Sequence, residues 1–371
     1  MSKQFYTKKI LMIASDDLNN SGVPNVIYQT IKALQNECSI DVVVFGDDLY
    51  YKEKLNQEGI IINTIRLYEN KPKTKIGRFF WYYSTKHKKN YKSICKIISQ
   101  NNYYAVHSFK EDESWPFLKA AKKYAIKKRI VYSNITLKKP SNLLEKIIWR
   151  RGRKLTNKLS TIRLGGSDPC CKSIYTRDYK VIHTSYNESK FNNSNEYIGD
   201  RSCLNLTHVA NFCTNKNQIY TLSVFNEMLK ENNNCKLRLI GKEIEDGYLQ
   251  IIKQKVSALG IGDKVEIYES KNVNEELMQT TFLILPSFSE GAPITTMEAQ
   301  ACGIYCFVSN KVTREIDCGG CIFIDVNGSP SLASQKIIKL FKKTNNKRTE
   351  FDMSEFSFEN FKKKMLSIYD K

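Results

Sequence analysis

Two carboxylates, Glu290 and Glu298, bracket the stretch Gly291-Ala292-Pro293-Ile294-Thr295, which follows the apolar run Phe282-Leu283-Ile284-Leu285-Pro286. This order predicts a strand, a Gly-Ala-Pro turn and a short helix with Pro293 near N1 and Gly303 at C′. A helix that starts in this way leaves the N–H groups of Ile294 and Thr295 free beside the positive end of its dipole, a geometry suited to a diphosphate. Gly291 lets such a ligand approach the backbone closely. Glu290 before the helix and Glu298 within it are acceptors for sugar hydroxyls. Acids near helix starts are also favourable without any ligand, but the turn chemistry around this pair weighs toward a site. Lys216, six residues beyond the apolar segment that ends at Ala210, is by itself more often a solvated loop lysine, although a site without a metal needs some fixed positive charge, which it could supply to a leaving diphosphate.

These residues need a scaffold that brings strand ends together, and the chain alternates accordingly. Strands are expected at 9–15, 40–46, 104–108 and 129–133, with helices at 23–35, 76–99, 115–124 and 142–158; a further helix and strand follow at 170–176 and 180–183. The second half repeats the alternation, with strands at 204–209, 236–241, 265–268, 282–285 and 305–308 and helices at 218–229, 247–259, 275–280 and 293–302. Both halves read as doubly wound parallel α/β sheets. The polar stretch 185–200 is the expected linker, and 354–369 reads as an amphipathic terminal helix. Ligands of such sheets bind outside the carboxyl ends of the strands, so the loops at Gly22, 211–216, Gly241 and 290–293 are expected to face one cleft.

Taken together, the segments resemble those of retaining GT-B glycosyltransferases of the family 4 type, the group that builds bacterial capsules and exopolysaccharides. Glu290 to Glu298 looks like its E-x7-E signature. Val209-Ala210-Asn211-Phe212 with Lys216-Asn217-Gln218 looks like V-G-R-F…K-N. Leu237-Arg238-Leu239-Ile240-Gly241 looks like the next strand and glycine turn, Leu259-Gly260-Ile261-Gly262-Asp263-Lys264-Val265 like L-G-(L/I)-x-D-x-V, and Asn19-Asn20-Ser21-Gly22-Val23 like the N-terminal glycine loop. The order and spacing of all five agree.

The resemblance implies a GT-B fold with an acceptor domain over 1–190, a nucleotide-sugar domain over 191–353 and a terminal helix over 354–371 that crosses back to the first. It implies Glu290 and Lys216 as catalytic residues, and Gly22, Asn211, Gly241, Gly291, Ala292, Pro293, Ile294, Thr295 and Glu298 as donor-binding residues. No metal and no cofactor are implied, the nucleotide-sugar being a substrate. Two positions depart from the pattern: the family's arginine is Asn211 here, and the second histidine of H-S-H is Phe109 in His107-Ser108-Phe109. A catalytically impaired binding or scaffold protein is the alternative that these departures suggest. For His107 a structural role is preferred; His87, His183 and His208 receive no role.

Charge adds a second theme. The 371 residues carry a formal net charge of +20, with 41% hydrophobic and 11% aromatic residues, the composition of a globular chain. Residues 1–203 hold 37 Lys and Arg against 18 Asp and Glu, whereas 204–330 hold 11 against 15. The segment 71–110 contains ten cations and no acid, interleaved with Phe79-Phe80-Trp81-Tyr82-Tyr83 and Tyr91. An anionic membrane surface ranks first as its partner, a solvated core-packing helix second and nucleic acid last. No apolar run has membrane-spanning length and no signal peptide is visible, so a cytoplasmic protein is expected; the resemblance, with the basic first half, implies that it is peripheral at the inner face of the plasma membrane and acts on a lipid-linked glycan. The eleven cysteines are then reduced, small and buried; the spacing of Cys302, Cys306, Cys318 and Cys321 resembles a zinc ribbon, but packing explains it better.

Overall fold

The computed structural model describes residues 8–19, 22–67, 85–137, 140, 142–192, 197–200, 202–270 and 272–370. Asn20 and Ser21 of the glycine loop, the aromatic run 79–83 and residues 193–195 of the expected linker lie outside them. Two compact units form, one from 1–184 with 359–371 and the other from 185–358.

In the first unit the order is β1 (Lys8–Ile13), α1 (Gly22–Leu34), β2 (Cys38–Val44), α2 (Tyr50–Gln57), β3 (Asn63–Arg66), α3 (His87–Ser99), β4 (Ala105–Ser108), α4 (Trp115–Lys123), β5 (Lys128–Ser133), α5 (Leu143–Leu159), β6 (Ile162–Gly165), α6 (Asp168–Ile174) and β7 (Lys180–Val181). The sheet is parallel throughout, in the order β3-β2-β1-β4-β5-β6-β7. Its central strands are buried on both faces, which is why Ile10, Leu11, Met12 and Ile13 form an unbroken apolar run with no exposure. Strands β3 and β6 and helix α2 are additional to the sequence-based reading. β3 (NTIR) and β6 (IRLG) are short and carry polar residues, so no apolar run marks them.

The second unit runs β8 (Leu204–Val209), α7 (Gln218–Glu231), β9 (Cys235–Ile240), α8 (Tyr248–Leu259), β10 (Val265–Tyr268), α9 (Val273–Met278), β11 (Phe282–Leu285), α10 (Ile294–Ala301), β12 (Cys306–Ser309), β13 (Cys321–Ile324) and α11 (Pro330–Thr344). Its parallel sheet has the order β10-β9-β8-β11-β12-β13. Leu206, Leu237, Leu239, Phe282, Ile284 and Phe307 build one side of its core. Residues 185–192 are not a linker: Phe191 is buried against Leu283, Ala299 and Val308, with Tyr186 packed beside it, so the boundary falls at 184/185 and the stretch belongs to the second unit.

Helix α12 (Phe358–Asp370) closes the chain, and residues 359–371 are part of the first unit. Phe361, Met365, Ile368 and Tyr369 are its buried face. At its C-terminal end the carbonyl of Tyr369 accepts from Tyr104 Oη (3.0 Å) and from Lys128 Nζ (2.8 Å) and Lys8 Nζ (3.2 Å), two cations placed where a helix end is negative.

Candidate functional site

Three loops leave the carboxyl end of the second sheet, and hydrogen bonds lace them together. After β8, the Asn215 side-chain amide donates to the Ser289 carbonyl (2.8 Å) and the Asn215 carbonyl accepts from Phe288 N–H (2.9 Å). Asn217 adopts the left-handed conformation (φ 57°), caps α7 and donates to the Pro286 carbonyl (3.3 Å). Lys216, fixed between these two asparagines, forms an ion pair with Glu290 at 2.5 Å. Its side chain is 23% exposed and that of Glu290 12%, so the pair is sheltered yet reachable. The loop after β9 joins through Phe212 N–H to the Lys242 carbonyl (2.8 Å) and through Thr214, whose N–H and hydroxyl each donate to the Glu245 carboxylate at 2.7 Å.

Helix α10 starts without a side-chain cap. Pro293 is its N-cap, in extended conformation, one position earlier than the expected N1: the ψ of 110° keeps it outside the helix. Lacking a side-chain hydroxyl or amide, Pro293 satisfies no donor of the first turn, while the N–H of Thr296 turns back to its carbonyl (3.1 Å). The N–H groups of Ile294 and Thr295 lead the first turn, the position at which an α-helix can offer donors to an anion. Cys302 is the C-cap and Gly303 follows with φ 73°, where a glycine costs least. Buried Gln300 holds the helix in place. Its oxygen accepts from the N–H groups of Cys318 (2.9 Å) and Gly320 (3.2 Å), and its nitrogen donates to the Ile316 carbonyl (2.8 Å).

Glu298 keeps part of its surface open, but the surrounding protein pushes its carboxyl up to about 7, with the charge of Lys190 opposing. His208, at the end of β8, is fully buried; burial and the nearby Lys216 charge drive its imidazole down to about 3. It bonds Thr221 Oγ1 through Nδ1 (2.9 Å). The neutral ring therefore adds no second positive charge beside Lys216.

The structure brings Lys216 against Glu290, directly before the turn Gly291-Ala292-Pro293 and the first helical residues Ile294 and Thr295, whereas Glu298 lies one turn into α10 with Lys190 as its charged neighbour. Asn211 is exposed, its carbonyl accepting from Gln218 Nε2 (3.0 Å). Gly241 has a reason of its own: a Cβ there would sit 1.9 Å from the Ala210 carbonyl oxygen, so two strand ends cross with no room for a side chain. Gly22 belongs to the first unit, opens α1 and is exposed; a Cβ added there meets no atom within 4 Å. Sequence reasoning missed Asn215 and Gln300 as positioning residues; a polar side chain on an otherwise buried helical face was the available signal for Gln300.

In the first unit His107 is wholly buried, stacked on Phe109 (ring centroids 4.4 Å apart) and bonded through Nδ1 to Tyr369 Oη (2.7 Å); burial lowers its pKa to about 3. Phe109 has no exposure. Cys302 and Cys306 are core residues, and Cys306 is paired in register with Cys321 across β12 and β13.

Two parallel α/β units of Rossmann type, the second with its loop cluster at the strand ends, define a GT-B fold. Residues 204–353 match the family model for Glycosyl transferases group 1. EpsF of Bacillus subtilis (strain 168) is 30% identical over 119 residues, which is 30% of this chain and 29% of that protein; the match thus spans under a third of the relative's length. Among solved structures, Anabaena Alr3699/HepE in complex with UDP and glucose superposes with a TM-score of 0.76 at 12% identity, covering 98% of this chain and 100% of that one. Sucrose-phosphate synthase from Thermosynechococcus elongatus gives 0.71 at 13% identity, with 98% of both chains covered.

Proposed function

We propose that this chain is a hexosyl- or related glycosyltransferase that moves a sugar from a nucleotide-sugar, a UDP-sugar by preference, to a lipid-linked oligosaccharide in capsule or exopolysaccharide synthesis. Transfer proceeds with retention and without a metal, at the inner face of the plasma membrane. The observation that carries the reading is the Lys216–Glu290 pair, held by Asn215 and Asn217 beside the uncapped start of α10. A diphosphate at that helix end competes with Glu290 for the ammonium group. Donor binding then swaps one anion for another on Lys216 and turns the Glu290 carboxylate toward the sugar hydroxyls. Lys216 and the N–H groups of Ile294 and Thr295 stabilise the leaving diphosphate, and a donor phosphate oxygen takes the acceptor's proton, so no side-chain base is required. Glu298 meets the ribose. The match of 204–353 to a glycosyltransferase family and the UDP-bound structural relative support the donor class.

A screen of nucleoside diphosphates and their sugars by thermal shift, followed by donor hydrolysis and transfer, tests this reading. Stabilisation by UDP with no turnover of any UDP-sugar would favour the scaffold alternative, for which buried, apolar Phe109 is the supporting observation. No response to any nucleotide would overturn the donor-site assignment. The basic first unit is proposed to rest on anionic lipid; among the described residues no helix is long and apolar enough to cross a membrane.

A further inference from the structure

The first unit holds a cavity of about 280 Å³ between α3, α4 and α5. Three cations, Lys88, Lys119 and Arg151, share its lining with the rings of His87, Tyr91 and Trp115. The rings are ordered against one another and against the cations: His87 and Trp115 lie 5.1 Å apart, and Lys119 Nζ is 5.2 Å from the centre of Tyr91. Gly152 forms part of the wall because α5 runs tightly against the turn after β4; a Cβ would come within 2.8 Å of the Asp112 carbonyl oxygen. The acids of that turn cancel only part of the cavity's charge. Glu113 is paired with Lys86 at 2.8 Å, and Asp112, its carboxyl raised by burial to about 6 and so still largely ionised at neutral pH, offsets at most one of the three cations.

Helix α5 supplies the second observation. Its Leu143 and Ile147 are 70% and 52% exposed, and with Arg151 they stand at i, i+4 and i+8, on one face. An apolar ridge therefore leads along the helix to a cationic, aromatic-walled hollow. The rest of the helix carries Lys146, Arg150, Arg153, Lys154 and Lys158 against the single acid Glu145. Apolar surface continuous with localised positive charge is complementary to an amphiphile with an anionic head, whereas a purely solvated basic helix needs neither the ridge nor the cavity.

We infer that this cavity holds the phosphate head group of an anionic lipid, with Leu143 and Ile147 entering the acyl boundary. The inference rests on the proposed membrane reading and goes beyond it, replacing a diffuse basic face by one pocket and one helix. Arg151 offers a forked pair of donors to phosphate oxygens, and the rings exclude water around them.

Full-length protein is sedimented with vesicles of phosphatidylglycerol and phosphatidylcholine, and with phosphatidylcholine alone. The pocket variant Lys88→Gln/Lys119→Gln/Arg151→Gln is compared with the charge-matched Lys92→Gln/Lys96→Gln/Lys122→Gln, which lies outside the cavity. Loss of three head-group contacts should weaken binding to the anionic vesicles roughly a hundredfold, and the control should change it by less than about tenfold. Leu143→Ser/Ile147→Ser should weaken vesicle binding while leaving the thermal shift given by glycerol phosphate unaltered. Equal losses in pocket and control variants would overturn the pocket but leave the membrane reading standing. Absence of wild-type binding to anionic vesicles would overturn both. If the pocket variant lost only its response to glycerol phosphate, with vesicle binding intact, the site would be one for soluble phosphate and the lipid inference would fail. An unchanged melting temperature and UDP response in each variant establish that it is folded.

Discussion

The loops at the strand ends of the second unit and the strand end of β4 in the first unit solve opposite problems. Around Lys216 and Glu290 the charged groups are sheltered but left in reach of a ligand, and their positions are fixed by backbone-directed asparagines instead of by packing. At β4 the corresponding polar residue is sealed: His107 is bonded to Tyr369 and stacked on Phe109, with no exposure. The turn that follows holds Glu111 in the left-handed region (φ 41°) with its carboxyl pushed by burial to about 8. Chemistry that needs charge belongs to the first arrangement, while the second builds a buried, largely neutral strand end. In the proposed reading the catalytic burden falls on the second unit, and the histidine that the resemblance places at position 109 is replaced by no other exposed imidazole at that strand end among the described residues.

The sharpest way to break this contrast is to remove the charge that the second unit exposes. Lys216→Ala should lower the rate of transfer by about a hundredfold to a thousandfold, as expected for loss of one group that stabilises transition-state charge. Glu290→Gln should lower it roughly thirtyfold, equivalent to about 2 kcal/mol. Both are measured as kcat/KM on purified protein whose melting temperature is unchanged. Wild-type turnover in both would remove the site from these loops.

A second test acts on stability instead of turnover. Gly241→Ala forces a Cβ into the Ala210 carbonyl and should cost about 2 kcal/mol or more, lowering the melting temperature by several degrees while Gly22→Ala, with open space around it, should not. Equal melting of the two variants would show that the strand ends can part without penalty.

Glu298 sharpens the comparison through pH. Its folded pKa, about 7, is above the ordinary 4.5, so the folded state holds the proton more firmly than the unfolded one. Stability contributed by Glu298 is full below about pH 4.5 and is lost as pH rises toward 7 and beyond. Relative to wild type, Glu298→Gln should therefore be more stable at pH 8 than at pH 5. Ionisation over the same range creates an acceptor-only carboxylate, so wild-type affinity for UDP should rise from pH 6 to 8 and that of the variant should stay flat, as calorimetry can record.

The smallest effect is expected in the first unit. Tyr369→Phe removes one hydrogen bond to a neutral imidazole and should cost about 1 kcal/mol, with UDP binding and turnover unaltered. A large loss of activity would mean that the sealed strand end takes part in transfer after all. Replacing Lys86 by Gln belongs with these structural tests, since Lys86 is buried and paired with Glu113 and does not serve the basic surface.

Apolar runs and turn residues determined much by themselves. Unbroken runs such as Ile10–Ala14 and Phe282–Leu285 have no place except in strands covered on both faces, and their alternation with helical periods leads to two parallel sheets. The Gly-Ala-Pro turn with its flanking acids marked where a phosphate could lie, because backbone donors at a helix start depend on local sequence. Other features depend on residues far apart in the chain and only the tertiary structure decided them. Asn215 and Lys216 meet Ser289 and Glu290 because β8 and β11 are neighbours in the sheet. Gly241 is required by the close approach of Ala210, and His107 Nδ1 is bonded by a tyrosine 262 positions away. Strands β3 and β6 lacked an apolar signature because hydrogen bonds to an already formed sheet define them. Composition could reveal that the first half was basic, but not that three helices would gather Lys88, Lys119 and Arg151 around one hollow, since that depends on how α3, α4 and α5 pack.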